Sequence, residues 1–224
     1  MVISDRKPME EILGFLKGCE KIVLVGCGQC ASACKVGGAP EIEEMTALLE
    51  AEGKEVTGIL LPDTACNLLL GKKELKSLKS ELKDVDAILS LACGDGTQTI
   101  VKNTQKQKIP VYPANNTLFI GEVERVGQFE EACKACGECE LGWTGGICPV
   151  TMCAKGLING ACGGAKNGKC EVSPDNDCAW VLIYERLKEL GQLDNLKEVR
   201  PPKDYSKQLN PRRHNANKKV ESEA

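Results

Sequence analysis

Short apolar runs alternate with amphipathic segments over the first half of the chain. Four of the runs have the length and composition of buried strands. They lie at residues 21–26, 56–62, 86–92 and 109–113. Amphipathic patterns predict helices at 5–18, 40–53, 72–84 and 97–108. Strands that alternate with helices in this way indicate an α/β fold with a doubly wound, mostly parallel sheet, Rossmann- or flavodoxin-like.

The pattern changes in the second half of the chain. Residues 115–128 are a mixed connector with some strand character, and cysteine and glycine then replace regular apolar spacing. One amphipathic helix follows at 178–190 and ends at Gly191. We therefore expect three parts. They are an α/β domain with a cysteine cluster at the sheet edge over 1–127, a cysteine-rich metal-cluster module over 128–192, and an extended basic C-terminal tail over 193–224.

The composition argues against several functional classes. A net charge of −3 and an aromatic content of 4% are unlike those of a nucleic-acid-binding protein. The first residues carry charges throughout, so we expect no signal peptide, and no apolar run is long enough for a membrane span. We therefore expect a cytoplasmic protein, in which 14 cysteines indicate metal or redox chemistry instead of disulfide bonds.

Eight of the cysteines lie in one short stretch between residues 133 and 178. They are Cys133, Cys136, Cys139, Cys148, Cys153, Cys162, Cys170 and Cys178. The stretch opens with CKACGEC, in which two CxxC pairs share Cys136. Bacterial ferredoxins use this spacing to bring three thiolates to one iron–sulfur cluster, and their fourth cysteine precedes a proline, as Cys148 precedes Pro149. The gap before Cys148 is longer than in the ferredoxin motif.

Eight cysteines suffice for two metal centres with four thiolate ligands each. The simplest partition gives Cys133, Cys136, Cys139 and Cys148 to one cluster and Cys153, Cys162, Cys170 and Cys178 to the other. Cys148 and Cys153 can exchange places in this scheme, because two-cluster ferredoxins lend their last cysteine to the other cluster. Two alternatives to iron–sulfur chemistry stay open: a structural zinc module, and a disulfide scaffold, which needs an oxidising compartment.

Five further cysteines are predicted to meet at the edge of the sheet. They are Cys27, Cys30, Cys34, Cys66 and Cys93. Cys27, Cys66 and Cys93 each follow a predicted strand, and the carboxyl ends of parallel strands share one edge, where ligands bind. Cys27, Cys30 and Cys34 form a C-x₂-C-x₃-C motif. Cys93 is the preferred fourth ligand because it lies closest to its strand, and Cys66 is the reserve.

Other interpretations of these cysteines are weaker. A thioredoxin-type CxxC redox pair would leave Cys34 without a role. A dinucleotide-binding loop would need the third glycine that GCGQC lacks. Cys19 has no cysteine neighbour at ligand spacing, so we expect it to be a small core residue.

Longer motifs give the chain a resemblance to a known family. The segments ICPVTMCAKGLINGACGG, NGKCEV, DCAWVLIYERLKELG and RPPKDYSK resemble the C-terminal domain associated with methylenetetrahydrofolate reductases. This domain also occurs alone, as the small iron–sulfur or zinc subunit of MetV type. The resemblance is dense from Cys133 to Lys207. It is looser from Gly26 to Gly127, where GCGQCASACKVGG, LACGDGTQT and LFIGEVERVGQF carry it.

The resemblance implies a subunit that transfers electrons and has no catalytic residues of its own. Its partner would be a flavin-containing methylenetetrahydrofolate reductase subunit, which converts methylene- to methyl-tetrahydrofolate in one-carbon metabolism. Two or three [4Fe–4S] clusters would pass electrons to that flavin, with ferredoxin or another iron–sulfur subunit as donor, and zinc could replace one cluster. No flavin is expected in this chain. The alternative is a structural zinc and iron–sulfur scaffold that organises a redox complex without transferring electrons.

The predicted tail is basic and interrupted by prolines. Seven basic residues and one acidic residue lie between Arg200 and Lys219, and no apolar period survives. One interpretation is a solvated, flexible segment. The other is an arm that binds the partner subunit, because RPPKDYSK falls within the resemblance. We expect His214 to be exposed and uninvolved.

Overall fold

The computed structural model describes residues 1–216 of the chain. These residues divide into two compact units, one of Met1–Glu130 and one that begins at Glu131. Each unit has a hydrophobic core of its own. Within residues 1–216, none of the helices combines the length and the hydropathy that a membrane crossing requires.

A four-stranded parallel sheet forms the centre of the first unit. Its strands are β2 (Lys21–Val25), β3 (Glu55–Leu60), β4 (Ala87–Ser90) and β5 (Val111–Pro113). Their order across the sheet is β3-β2-β4-β5, and all neighbours are parallel. The predicted mixed α/β class with a parallel sheet is therefore confirmed, whereas the flavodoxin-like assignment stays a prediction.

Helices cover both faces of this sheet. They are α1 (Met9–Phe15), α2 (Cys30–Ala33), α3 (Ala39–Ala51), α4 (Leu68–Glu74) and α5 (Gly94–Thr104). Side chains alternate along β2, so Ile22 and Leu24 pack with Met45 of α3 on one face. Val23 packs with Ile100 of α5 on the other. This two-sided burial explains why the strands read as continuous apolar runs in the sequence.

A second sheet is formed by one strand before the parallel sheet in the sequence and two strands after it. It contains β1 (Val2–Arg6), β6 (Asn115–Arg125) and β7 (Gln128–Glu131), in the order β1-β6-β7. β1 and β6 are antiparallel. The predicted helix over 5–18 is therefore wrong at its start and is shorter than expected. Ile3 is buried in an apolar cluster with Phe119, which lies far away in the sequence, and this packing stabilises a strand there.

The predicted helix over 72–84 is also corrected. The structure has α4, followed by two short 3₁₀ turns at Leu75–Leu78 and Glu81–Lys83. Leucines from both turns still pack on the sheet, as their spacing predicted. The Ser77 hydroxyl donates a hydrogen bond to the carbonyl oxygen of Glu74 at 2.7 Å, and such local side-chain bonds compete with a regular helix.

The second unit is built mainly from loops. Its helices are α6 (Pro149–Met152) and α7 (Ala179–Glu189), with 3₁₀ turns at Leu193–Lys197 and Tyr205–Gln208. Its core consists of Trp180, Ile183 and Leu187 from α7, with Cys153 and Cys178 packed against them. So small a core is typical of modules whose loops need another source of stability, such as a metal.

Candidate metal centres

The first candidate centre lies at the carboxyl edge of the parallel sheet, between β2 and β4, where the strand order reverses. The chain leaves β2 for β3 on one side and returns to β4 on the other side, so the loops after β2 and β4 diverge at one edge. The two loops approach each other closely, because a Cβ atom added to Gly37 would lie 2.0 Å from the carbonyl oxygen of Leu91. Only glycine permits this approach, which brings the first cysteine loop beside Cys93.

The cysteines at this edge differ in exposure. Cys27, Cys34 and Cys93 are 5%, 9% and 6% exposed, Cys30 is half-buried, and Cys66 is exposed. Cys27 begins the loop after β2, and Cys93 is the residue before α5. Of the two cysteines considered for the fourth ligand, Cys93 is thus the buried one and Cys66 the exposed one.

Electrostatic interactions link these five thiols. Burial raises the pKa of the Cys34 thiol, and the neighbouring thiols of Cys30 and Cys93 raise it further. Burial likewise raises the pKa of Cys66, with added contributions from Cys93 and Cys27. Burial is also the main cause of the raised pKa of Cys93. A cation at this edge would offset the cost of several thiolates in a small volume.

The surroundings of this centre are apolar, with polar groups at selected points. Ile3 and Phe119 pack in the same cluster as Cys27 and Cys34. The Cys34 thiol lies 3.8 Å from the carbonyl oxygen of Val2 in β1. The Ser4 hydroxyl, also in β1, is buried and has no hydrogen-bond partner among residues 1–216. This unpaired hydroxyl could donate a hydrogen bond to a group bound at the site.

The second candidate centre is a cavity in the cysteine-rich unit. Its volume is about 230 Å³. Cys133, Cys136, Cys139 and Cys148 all line it. The structure thus brings together the four cysteines that the sequence assigned to one cluster, despite the long gap before Cys148.

The backbone of the CKACGEC loop is shaped around its sulfur atoms. Ala135 and Gly137 have positive φ angles of 50° and 79°, which make the loop turn tightly. The Ala135 N–H group donates to the Cys133 sulfur at 3.3 Å. Such N–H···S bonds stabilise thiolates and the sulfur atoms of clusters.

The other four cysteines of this unit have contacts of different kinds. Cys153 and Cys178 pack on the same apolar core. The Cys162 thiol lies 3.4 Å from Glu171 Oε1, and Glu171 in turn pairs with Lys155. The backbone N–H of Cys170 donates to the carbonyl oxygen of Asn176. Cys153 and Cys178 thus share one apolar core, and the set of four stays a prediction.

The tail differs from the expected solvated segment. Arg200, Lys203 and Lys207 form ion pairs with Glu138 and Glu140, the acidic residues on either side of Cys139. Only 1% of the Lys203 side chain is exposed. These residues are therefore paired within the chain, and the buried Glu140 binds the cationic groups of Arg200 and Lys203. The same residues were expected to form an arm that binds a partner subunit, and here they bind acidic residues of the chain itself. The tail beyond residue 216 lies outside the described residues.

The residues at both centres are of a type that binds metals. Both centres offer thiols, and iron–sulfur clusters and zinc bind thiolates. Across the described residues 1–216, however, no three His, Cys, Asp or Glu side chains are already arranged to coordinate an ion. Metal binding would thus require cysteine side chains to reorient.

One comparison with known proteins gives a match. Residues 112–206 match the sequence model of a family described as methylene-tetrahydrofolate reductase C terminal. The matched segment includes all eight cysteines of the second unit and the buried Lys203. No curated protein and no solved structure is significantly similar to the chain. The match supports the predicted family resemblance, and it covers less than half of the chain.

Sequence reasoning missed several residues that shape the two centres. β1, with Ser4, was assigned in part to a helix, and its role depends on pairing with a strand more than a hundred residues away. Sequence reasoning assigned no role to Glu140 and treated Lys203 only as one charge of the basic tail. Clusters of opposite charge at residues 138–140 and 200–207 were the one available signal, and charge alone does not indicate pairing.

Proposed function

We propose that this chain is an electron-transfer subunit that binds iron–sulfur clusters and works with a flavin-containing methylenetetrahydrofolate reductase subunit. The observation that carries the proposal is the shared cavity of Cys133, Cys136, Cys139 and Cys148. The first three have the spacing of a ferredoxin motif, and all four lie within the segment that matches the reductase C-terminal family. The convergent thiols support cluster binding, and the family match supports a role in a complex with the reductase subunit.

Two sets of residues would hold clusters. Cys133, Cys136, Cys139 and Cys148 would bind one, and Cys27, Cys30, Cys34 and Cys93 would bind another, with Cys66 in reserve. A bound [4Fe–4S] cluster supplies one-electron transfer at a potential that depends on net charge, burial and hydrogen bonds to sulfur. The chain contributes the last two of these. Apolar residues such as Ile3 and Phe119 limit water at the first centre, and the Ala135 N–H group bonds sulfur at the second.

A third metal would belong to the remaining cysteines of the second unit. Cys153, Cys162, Cys170 and Cys178 are spread over loops around α7, and Cys178 directly precedes this helix. They would need to move together to bind a third cluster or a zinc ion. Of the three centres, we expect this one to depend most on bound metal for its folding.

The partner follows from the family. The reductase that gives the family its description acts on methylene-tetrahydrofolate, and we place the folate chemistry and the flavin on that partner. Ferredoxin or another iron–sulfur protein would supply the electrons. The chain itself would therefore neither bind flavin nor reduce the folate.

Rapid mixing tests this function. The reduced chain, prepared without oxygen, is mixed with the oxidised flavin subunit, and flavin absorbance is followed. We expect flavin reduction by the wild-type chain and much slower reduction by a Cys136→Ser variant, because that variant lacks a ligand of the second centre. If the wild-type chain binds the flavin subunit and holds its metals but transfers no electrons, the scaffold alternative is correct.

A further inference from the structure

The tail segment 200–212 is bound to the CKACGEC loop over its whole length. The Lys203 ammonium group donates to the carbonyl oxygen of Glu138. Gln208 donates to that of Cys136 at 3.5 Å, and Arg212 to that of Ala135. The tail therefore contacts three carbonyl groups of one short loop, instead of a single point on the surface.

Charge and packing reinforce these backbone contacts. Glu140, whose side chain is 5% exposed, accepts from Arg200 Nε at 3.1 Å and lies 3.7 Å from Lys203 Nζ. Glu138 accepts from the Asp204 N–H at 2.8 Å and pairs with Lys207 at 3.2 Å. Buried ion pairs tolerate few alternative arrangements, because either partner left alone would be an uncompensated charge.

The two segments also approach each other closely at Gly137. A Cβ atom at this position would lie 2.8 Å from the Cβ of Lys207. The positive φ of 79° at Gly137 disfavours other residues as well. The loop and the tail are thus shaped for each other in backbone conformation, in packing and in charge.

These contacts fix the orientation of the loop's peptide groups. The C=O and N–H of a trans peptide point in opposite directions. The carbonyl groups of Ala135, Cys136 and Glu138 face the tail, so the N–H groups of Cys136, Gly137 and Cys139 are turned away from it. N–H groups on the side opposite the cationic tail are available to sulfur, as that of Ala135 already is.

We infer that residues 200–212 form an intramolecular strap that positions the CKACGEC loop for metal binding. Lys203 is the central positioning residue of this strap, since it contacts the loop backbone and the buried Glu140. The inference rests on the proposed function only for the metal. The strap itself is a property of the chain and can be measured without one.

Three full-length variants test the strap. Lys203→Met removes the buried ammonium group. Lys207→Met combined with Arg212→Met removes two cationic groups at the surface of the strap, so this variant should fold even if the first does not. Lys197→Met is the matched control, because its side chain is 77% exposed and pairs with the nearby Asp194. Hydrogen exchange by mass spectrometry then compares the loop 133–139 with α7.

We expect faster exchange in the loop for Lys203→Met and for the double variant, with α7 and the control unchanged. Metal should also be released faster to a chelator by both variants. Where the second centre holds a cluster, the double variant should have a lower midpoint potential, because nearby cations stabilise the more negative reduced form. A residue that merely stabilised the fold would speed exchange in α7 as well and leave the potential unchanged.

The outcomes separate this inference from the proposed function. If the loop exchanges at the wild-type rate in the double variant and metal release is unchanged, the strap is refuted while the clusters stand. If the wild-type chain binds neither iron nor zinc, the proposed function fails. The hydrogen-exchange comparison then decides whether residues 200–212 hold the loop.

Discussion

The side-chain amide of Asn115 donates to the carbonyl oxygen of Leu91 at 2.6 Å and so links the start of β6 to the loop that carries Cys93. The same amide lies 3.3 Å from the carbonyl oxygen of Val36, in the loop that carries Cys34. One buried side chain therefore holds both cysteine loops at the edge of the parallel sheet. The position of the first centre depends on this connection between the two sheets of the first unit.

Replacement of Asn115 should loosen both loops. Asn115→Ala leaves two buried carbonyl groups without a donor, and we expect it to cost about 1–3 kcal/mol of unfolding free energy. Chemical denaturation of the two proteins measures this difference. Asn116→Ala is the control, because Asn116 is the exposed neighbour on the same strand. Equal stability of the two variants would contradict the role assigned to Asn115.

Cys30→Ser should remove one metal centre. We expect a loss of about four iron atoms per chain if the centre is a [4Fe–4S] cluster. Iron and sulfide analysis of anaerobically purified protein measures the loss. Cys19→Ser is the matched control, since Cys19 packs at the margin of the main core and has no ligand role in this account. Unchanged iron in Cys30→Ser would remove the N-terminal centre from the account.

The fourth ligand of that centre can be identified by a pair of variants. Cys93 is buried and directly precedes α5, whereas Cys66 is exposed. We therefore expect Cys93→Ser to lose iron and Cys66→Ser to retain it. The reverse result would make Cys66, the reserve in the sequence-based assignment, the ligand.

Removal of metal should affect the second unit unevenly. The loops that carry Cys153, Cys162 and Cys170 have little apolar material, so their order should depend on bound metal. After chelation of the full chain, we expect fast hydrogen exchange over residues 153–178 and fraying of α7 at its start. The four parallel strands provide an internal control that should stay protected. Full protection of residues 153–178 without metal would show that these cysteines are core residues.

The parallel sheet was predictable because its signals are local. Residues 21–26 and 86–92 read as buried strands, and the structure places β2 and β4 within them. Each strand is buried on both faces, so continuous apolar runs suffice to identify it. The convergence of Cys27 and Cys93 then followed from the rule that parallel strands share a carboxyl edge.

Features that depend on distant partners were not predictable. The segment VISDR has a mixed pattern and becomes β1 only by pairing with β6. Lys203 looks like one of several basic residues in a tail until Glu140 is placed beside it. The shared cavity of Cys133 and Cys148 was suggested by spacing. The contact of Cys162 with Glu171 depends on loop conformations that spacing does not encode.

The central claim is that the gathered thiols bind iron–sulfur clusters, and metal analysis of the anaerobically purified chain tests it most directly. Iron, acid-labile sulfide and zinc are counted per chain beside a visible absorption spectrum. We predict a brown protein with about four iron and four sulfide for each of at least two clusters. A colourless protein that binds zinc alone, or no metal, after anaerobic purification and reconstitution would contradict the account.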